Sequence, residues 1–150
     1  MNAMKGKGHL RRSMKLLLDT NVILDVLAKR EGYFEASSAL WKLCEVRKVK
    51  GYISALSIAN IIYVLRKELN PAQIADVIKR LNMIFEISDL SVAVLMRASC
   101  MQWKDFEDAV QYSTATYMGA DYIISRNTTD FMEKEIPAVT PIEFLNELML

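Results

Sequence analysis

Three aspartates, Asp19, Asp108 and Asp130, are the residues of this chain best suited to do chemistry. Asp19 directly follows a short apolar run, residues 15–18, and a carboxylate in such a setting costs free energy unless something pairs with it. Aspartate is also a common N-cap residue at the start of a helix. On local sequence alone, a structural cap and a charge held for chemistry are about equally good interpretations of Asp19.

The other two aspartates also have structural interpretations. Asp130 lies in the stretch SRNTTDF, just after the apolar run DYIIS, where it and Asn127 are candidate turn residues. Asp108 lies three residues after Asp105, and the pair resembles an N-cap followed by an acid that complements the helix dipole. Taken singly, none of these side chains indicates a catalytic site.

Together, however, the three aspartates indicate a metal site. If the strands that precede Asp19 and Asp130 are neighbours, Asp108 can reach the same crevice, and Asn60 could face it from another helix. Several carboxylates in one crevice raise each other's pKa values unless a divalent cation neutralises them. Mg²⁺ and Mn²⁺ take oxygen ligands and keep bound waters that can attack a phosphate. The sequence therefore predicts a Mg²⁺ or Mn²⁺ site for phosphodiester hydrolysis.

Other kinds of catalytic site have little material in this chain. The single histidine, His9, lies near the N-terminus and leaves almost nothing for a histidine-based triad or a structural zinc site. The five glycines are dispersed, which disfavours a phosphate-binding loop and a dinucleotide-binding fold. Because the net charge is only +1, contact with RNA would rely on a local basic patch, for which the candidates are Lys104, Arg126, Arg66 and Lys67.

The elements that must position these residues are apolar runs that alternate with segments of helical periodicity. Strands separated by helices imply right-handed crossovers, so we predict an α/β fold: a three-layer α/β/α sandwich with a mainly parallel sheet of four to five strands. Ligands bind such sheets beyond the carboxyl ends of the strands. The predicted strands cover residues 15–18, 52–55, 83–87, 121–125 and, at an edge, 137–140. The predicted helices run from residue 22, over 34–49 with Gly51 closing it, from a Ser57 cap to 69, over 71–82, from 89 or 91 to 101, over 105–118 and from 141.

Length and composition predict one compact domain. Of the 150 residues, 52% are hydrophobic, so we expect a flexible leader over residues 1–13 and a single domain over 14–150. No apolar stretch reaches the roughly 20 residues of a membrane span. Two isolated cysteines, Cys44 and Cys100, indicate reduced core residues in a cytoplasmic protein. Apolar residues in the helices predicted over 34–49 and 56–83 leave surface for a homodimer.

Three motifs, LLLDTNVILDVL, DFEDAVQYSTA and ADYIISRNTTDF, occur in this order and together resemble the PIN-domain ribonuclease family, especially the single-domain toxins of toxin–antitoxin pairs. The resemblance covers about residues 14–148. It implies a three-layer α/β/α domain, a Mg²⁺- or Mn²⁺-dependent endoribonuclease, an RNA substrate, a cognate antitoxin and frequent homodimers. By motif, Asp19, Asp108 and Asp130 match the metal-binding acids. Polar residues expected to support the site are Thr20, Asn127 and, at the end of the second strand, Ser54.

The chain departs from the family pattern at Asn60. Family members commonly place a glutamate on the helix after the second strand, whereas ISALSIANIIYVLRK has Asn60 there. Asparagine offers a neutral oxygen ligand but no charge. Glu107, which the pattern places on an exposed face, and Asp105 are the acids that could compensate. The departure keeps open an alternative, a catalytically weakened PIN-like module that binds RNA or protein.

A hydrolase that uses Asp19 as a nucleophile on a doubly wound sheet is a further alternative. It is disfavoured because the run Asp-Thr-Asn has no second aspartate two residues on to act as a general acid.

Overall fold

The computed structural model describes residues 13–133 and 135–148. Within these ranges, five strands form one entirely parallel sheet in the order β3-β2-β1-β4-β5. The strands are β1 (Lys15–Leu18), β2 (Lys50–Ser54), β3 (Glu86–Ser88), β4 (Tyr122–Ile124) and β5 (Ala138–Val139). The predicted α/β class and the predicted parallel sheet are confirmed.

Helices connect β1 to β2, β2 to β3 and β3 to β4, and they cover both faces of the sheet, as parallel strands require. A short 3₁₀ turn, Thr128–Asp130, follows β4. The α-helices of the described ranges are α1 (Thr20–Leu27), α2 (Phe34–Glu45), α3 (Ala55–Leu65), α4 (Pro71–Ile84), α5 (Val92–Met101), α6 (Phe106–Met118) and α7 (Pro141–Leu148).

The leucines of β1 show why both faces must be covered. Side chains of a strand alternate between the two faces, so Leu16 and Leu18 point one way and Leu17 points the other. Leu16 and Leu18 belong to a core built with α1, α2, α3, α4 and α7, where the buried Phe144 of α7 packs. Leu17 belongs to a second core in which Tyr112 of α6 packs on the sheet. The protein is therefore a three-layer α/β/α sandwich.

The sheet order brings distant parts of the sequence together at one edge. β1 lies between β2 and β4, and Leu18 pairs with Ile124 at the carboxyl end of the sheet. The backbone N–H of Asp19 continues this pairing by donating to the carbonyl of Ile124 at 2.9 Å. The prediction that the strands preceding Asp19 and Asp130 are neighbours is confirmed, and Asp19 lies beside the loop that follows β4.

Several predicted helix termini are confirmed by their capping contacts. Asn70 and Gln73 form a reciprocal capping box at the start of α4, with Pro71 at its first position. Ser91 caps α5, since its side chain accepts from the N–H of Val94 at 3.2 Å. Gly119 ends α6 with φ of 73°, a conformation that glycine adopts without strain.

Other boundaries were predicted wrongly. The helix predicted over 34–49 ends at Glu45, because the chain turns through Arg47 at φ of 66° before entering β2. Gly51 therefore lies inside β2 and does not close the helix. Ser54, rather than Ser57, is the N-cap of α3, because β2 ends there and its hydroxyl accepts from the N–H of Leu56. The helix predicted to reach residue 69 ends at Leu65.

The prediction that both cysteines are core residues holds for only one of them. Cys44 and Cys100 are both free, and Cys44 is buried as predicted, but Cys100 is exposed on α5 and is not a core residue. Residues 1–12 of the predicted leader, including His9, lie outside the described residues. In the part of the chain that the structure describes, no helix combines the length and apolarity needed to cross a membrane.

Gly51 is a point where two layers approach too closely for any side chain. A Cβ at this position would lie 2.7 Å from Cys44 Sγ and 2.8 Å from Phe85 Cδ1. We expect Gly51→Ala to lower the free energy of unfolding by about 1–3 kcal/mol through overpacking, measured by urea denaturation. The penalty should be smaller in a Cys44→Ala background, which removes one of the two obstructing atoms. An unchanged urea midpoint for Gly51→Ala would contradict this account.

Candidate active site

A cleft of about 380 Å³ opens at the carboxyl edge of the sheet, where the loops after β1 and β4 meet α3 and the start of α6. Asp19, Asp108 and Asp130 all line it. Among the polar residues predicted to support the site, those that also line the cleft are Thr20, Asn60, Asn127 and Asp105, and Glu107 lies there too. The structure thus brings together residues that lie more than a hundred positions apart in the sequence.

Asp19 is held by hydrogen bonds from three segments. Its Oδ1 accepts from the backbone N–H of Thr20 at 2.8 Å and from Gln111 Nε2 at 3.4 Å. Its Oδ2 accepts from the hydroxyl of Ser125 at 2.8 Å. Burial raises the pKa of Asp19, and the bonds from Ser125 and Thr20 oppose that shift because they favour the charged form. Asp19 is therefore both the N-cap residue of α1 and a buried carboxylate at the edge of the cleft.

Behind Asp19, the buried hydroxyl of Ser57 joins three helices. Ser57 Oγ accepts from Thr20 Oγ1 at 2.8 Å and from Gln111 Nε2 at 2.6 Å. Sequence reasoning did not identify Ser57, Gln111 or Ser125 as site residues. Helical spacing could have found two of them, since Gln111 lies three residues after Asp108 and Ser57 three before Asn60. Asp108 and Gln111 then share a face of α6, and Ser57 and Asn60 share a face of α3.

Asp108, in the first turn of α6, lies among the other acids of the cleft. Its pKa is raised to about 7, first by burial and then by the charges of Asp105, Asp19, Asp130 and Glu107. A helix N-terminus normally favours a carboxylate. The opposite direction of this shift shows that burial and the neighbouring acids outweigh the dipole here.

The remaining predicted residues have separate roles. Asp105 caps α6, because its Oδ1 accepts from the N–H of Asp108 at 3.1 Å. Asp130 ends the 3₁₀ turn, and Asn127 precedes this turn and donates its N–H to Ser125 Oγ at 3.1 Å. Ser54 is buried, its hydroxyl caps α3, and it is absent from the described residues that line the cleft.

Asn60, where the chain departs from the family pattern, has a specific hydrogen-bond partner. Asn60 Nδ2 donates to Glu107 Oε2 at 2.7 Å across the cleft between α3 and α6. Glu107 is exposed, as predicted, but it faces the cleft.

Asp25, in the last turn of α1, is fully buried. Ser37 Oγ donates to its Oδ2 at 3.2 Å, and Arg30 and Arg126 approach its Oδ1 at 3.8 and 3.5 Å. The Arg126 guanidinium also lies 4.0 Å from the centre of the Tyr33 ring. Arg126 is therefore held by Asp25 and Tyr33. Of the four basic residues predicted as candidates for RNA contact, Arg126 is the least free to bind a phosphate.

The donor set of the cleft fits a hard divalent cation. It consists of carboxylate, amide and hydroxyl oxygens, which Mg²⁺ and Mn²⁺ prefer to nitrogen or sulfur. The mutual repulsion that raises the pKa of Asp108 is the kind that such a cation relieves. Across the described ranges, no three His, Cys, Asp or Glu side chains are already gathered as ligands around one point. The residues that would hold the ion are Asp19, Asp108 and Asp130.

Comparison with known proteins identifies the family. A model of the PIN domain matches residues 15–129 of the chain. The chain belongs to the PIN-domain family. The match to the PIN domain ends one residue before Asp130, so it covers the segments of Asp19 and Asp108 but not Asp130 itself. The resemblance seen in the three motifs is confirmed.

This PIN-domain chain is 26% identical over 136 residues to ribonuclease VapC1 of Aquifex aeolicus (strain VF5), which covers 88% of this chain and 94% of that protein. Among solved structures, it is similar to a toxin–antitoxin complex from Klebsiella pneumoniae, with a TM-score of 0.66 and 22% identity over 84% of this chain and 97% of that one. It is also similar to FitAcB from Neisseria gonorrhoeae, with a TM-score of 0.64 and 20% identity over 85% of this chain and 98% of that one. The two structural likenesses support the fold.

The raised pKa of Asp108 makes stability depend on pH. The folded pKa of about 7 lies above the ordinary value of 3.8, so between these values the folded chain keeps a proton that the unfolded chain has lost. The free energy of unfolding therefore falls as pH rises from about 4 to 7. Without divalent cations, we expect Asp108→Asn to raise the free energy of unfolding at pH 8 by on the order of 1 kcal/mol, allowing for partial solvent screening.

This gain should be much smaller at pH 4, where the folded carboxyl is neutral and the unfolded one is only about half ionised, and it should vanish at lower pH. Urea denaturation in a chelating buffer measures it. The control is Asp89→Asn, at an exposed aspartate outside the cleft, which should show no such pH dependence. A gain that is equal at pH 4 and pH 8 would contradict the electrostatic explanation.

Proposed function

We propose that this chain is a metal-dependent endoribonuclease that hydrolyses RNA phosphodiester bonds and acts as the toxin of a toxin–antitoxin pair in the cytoplasm. The observation that carries the proposal is the convergence of Asp19, Asp108 and Asp130 on one cleft of a PIN domain. These acids lie at the carboxyl edge of a parallel sheet, where ligands bind.

In this mechanism, Asp19, Asp108 and Asp130 would hold one or two Mg²⁺ or Mn²⁺ ions. Such an ion would supply Lewis-acid activation of the phosphate and of the attacking water. Ser125 and the N–H of Thr20 fix the orientation of the Asp19 carboxylate before any ligand binds. Asp108, whose pKa is raised to about 7, would be deprotonated when it holds a cation, so binding of the ion would be accompanied by proton release.

The partners follow from the proteins that this chain resembles. The A. aeolicus relative is named a ribonuclease, and the K. pneumoniae structure is a toxin–antitoxin complex. These names support an RNA substrate and a cognate antitoxin. A small upstream reading frame with a DNA-binding pattern would support the toxin role.

We also propose a homodimer. On α5, Val92, Leu95 and Met96 leave 74%, 36% and 61% of their surface exposed and share one helix face. Such a patch suits an interface between copies, and the mass in solution, measured by light scattering, tests the dimer.

A second groove, of about 700 Å³, adjoins the cleft and shares Asp105, Asp108 and Asp130 with it. Phe106 lines this groove and is half exposed, and Lys104 lies beside it. Aromatic rings stack on the bases of single-stranded nucleic acids, and a lysine can pair with a phosphate. We propose that the RNA strand continues along this groove from the scissile phosphate.

The central test is cleavage of single-stranded RNA by the wild-type chain and by Asp19→Asn. We expect cleavage that requires Mg²⁺ or Mn²⁺, stops with EDTA and falls by about a hundredfold or more in Asp19→Asn. Gel analysis of an end-labelled RNA measures the rate, and Asp89→Asn is the matched control. Equal cleavage by wild type and Asp19→Asn would overturn the mechanism. RNA binding without metal-dependent cleavage would favour the catalytically weakened module.

Substitution of Phe106 tests whether RNA binds in the second groove. In an Asp19→Asn background, which keeps the RNA intact, Phe106→Ala should weaken the affinity for a short single-stranded RNA by about tenfold, since a base loses its stacking surface. Phe106→Trp should retain the affinity. Tyr117→Ala is the control, because Tyr117 is a 70% exposed aromatic on the same helix and outside both cavities. Fluorescence anisotropy measures binding, and equal affinities of Phe106→Ala and its parent would exclude the groove.

A further inference from the structure

The hydrogen bond between Asn60 and Glu107 joins the two helices that flank the cleft. Asn60 Nδ2 donates to Glu107 Oε2 at 2.7 Å, and both residues line the cleft together with Asp19, Asp108 and Asp130. Asn60 occupies the place on α3 where the family pattern has a glutamate. The structure therefore places the carboxylate of Glu107 beside the asparagine that replaces the expected glutamate.

The charge of Glu107 is not neutralised by this contact. An asparagine amide donates a hydrogen bond without adding a positive charge, and no ion pair between described residues involves Glu107. The hydrogen bond is to Oε2, and an ionised carboxylate has about four lone-pair sites on its two oxygens. Glu107 thus keeps both charge and acceptor capacity for a cation.

Asp105, the other acid that could compensate, is placed differently. Its Oδ1 caps α6 by accepting from the N–H of Asp108, so it is oriented by its own helix. Glu107 is instead oriented from α3, the helix that would normally carry the acid. A glutamate at position 60 would face Glu107 as a like charge, whereas asparagine attracts it. The contact therefore needs an amide in at least one of the two side chains, because two carboxylates would repel each other.

We propose that Glu107 supplies the carboxylate that the family pattern places on α3, and that Asn60 is a positioning residue that holds Glu107 over the cleft. This inference rests on the proposed function, because it concerns the cation of the same site. It implies that this carboxylate comes from α6 and not from α3. The cleft therefore keeps the negative charge although residue 60 is neutral.

The test is the affinity of the full chain for Mn²⁺, measured by isothermal titration calorimetry. Glu107→Gln keeps an acceptor for the Asn60 amide but removes the charge, and we expect Mn²⁺ to bind about tenfold more weakly. The matched control is Glu35→Gln. Glu35 is exposed and, like Glu107, is the second residue of its helix after a phenylalanine, but it lies outside the cleft. The control should bind Mn²⁺ like the wild type.

The double variant Asn60→Glu/Glu107→Gln exchanges the two groups. It returns a carboxylate to α3 and a neutral partner to α6, so we expect Mn²⁺ affinity within about threefold of wild type. Asn60→Ala, which frees Glu107, should fall between wild type and Glu107→Gln. Thermal unfolding without metal checks that each variant is folded.

Different results separate the two proposals. If Asp19→Asn weakens Mn²⁺ binding but Glu107→Gln does not, the role of Glu107 is overturned and the metal site stands. If neither variant changes Mn²⁺ binding, or the wild type binds none, both are overturned. If Glu107→Gln weakens binding and the exchange restores it while no RNA is cleaved, the role of Glu107 stands and the ribonuclease proposal fails.

Discussion

Burial of the Asp19 carboxylate at the end of the central strand is the constraint on which the site depends. A buried charge is tolerated only when hydrogen-bond donors surround it, and here these come from α1, α6 and the end of β4. Each donor requires its own element to be in place. The pairing of β1 with β4 brings Ser125, and the packing of α6 on the sheet brings Gln111. The fold and the site therefore stabilise each other through one side chain.

The two arginines near this point are paired with another buried acid, Asp25. Arg30 lines the cleft together with the acids, but both Arg30 and Arg126 pair with the buried Asp25. Ser125 and Arg126 are adjacent in the chain, and successive side chains of an extended segment point in opposite directions. The serine therefore reaches Asp19 while the arginine reaches Asp25. Both arginines are therefore held by Asp25, and no ion pair between described residues joins either of them to Asp19, Asp108 or Asp130.

Much of the fold could be predicted from the sequence, because local signals and burial agree there. The leucines of β1, the Asn70-Pro71 helix start and the Asp105 cap are examples. Gly51 was predicted wrongly because a glycine near a helix end resembles a terminator, and only the packing of Cys44 and Phe85 shows why it is needed in a strand.

The aspartates of the site were predictable from their positions after strands and at a helix start. The buried Ser57 and Gln111 were not identified, although their helical spacing from Asn60 and Asp108 places them on the same helix faces as those residues. The contact between Asn60 and Glu107 depends on how α3 and α6 pack, which no local pattern encodes. Sequence reasoning could therefore name Glu107 as a candidate but could not choose between it and Asp105.

The order of elements along the chain also matters for synthesis. Ser125 and Asp19 are 106 residues apart, and β1 lies in the centre of the sheet between β2 and β4. A growing chain can pair β1 with β2 early, but it cannot place Ser125, Asp130 or the packed α6 beside Asp19 until most of the protein has left the ribosome. Incomplete chains therefore lack the cleft altogether. The sheet order thus delays any activity that depends on this cleft until translation is nearly finished.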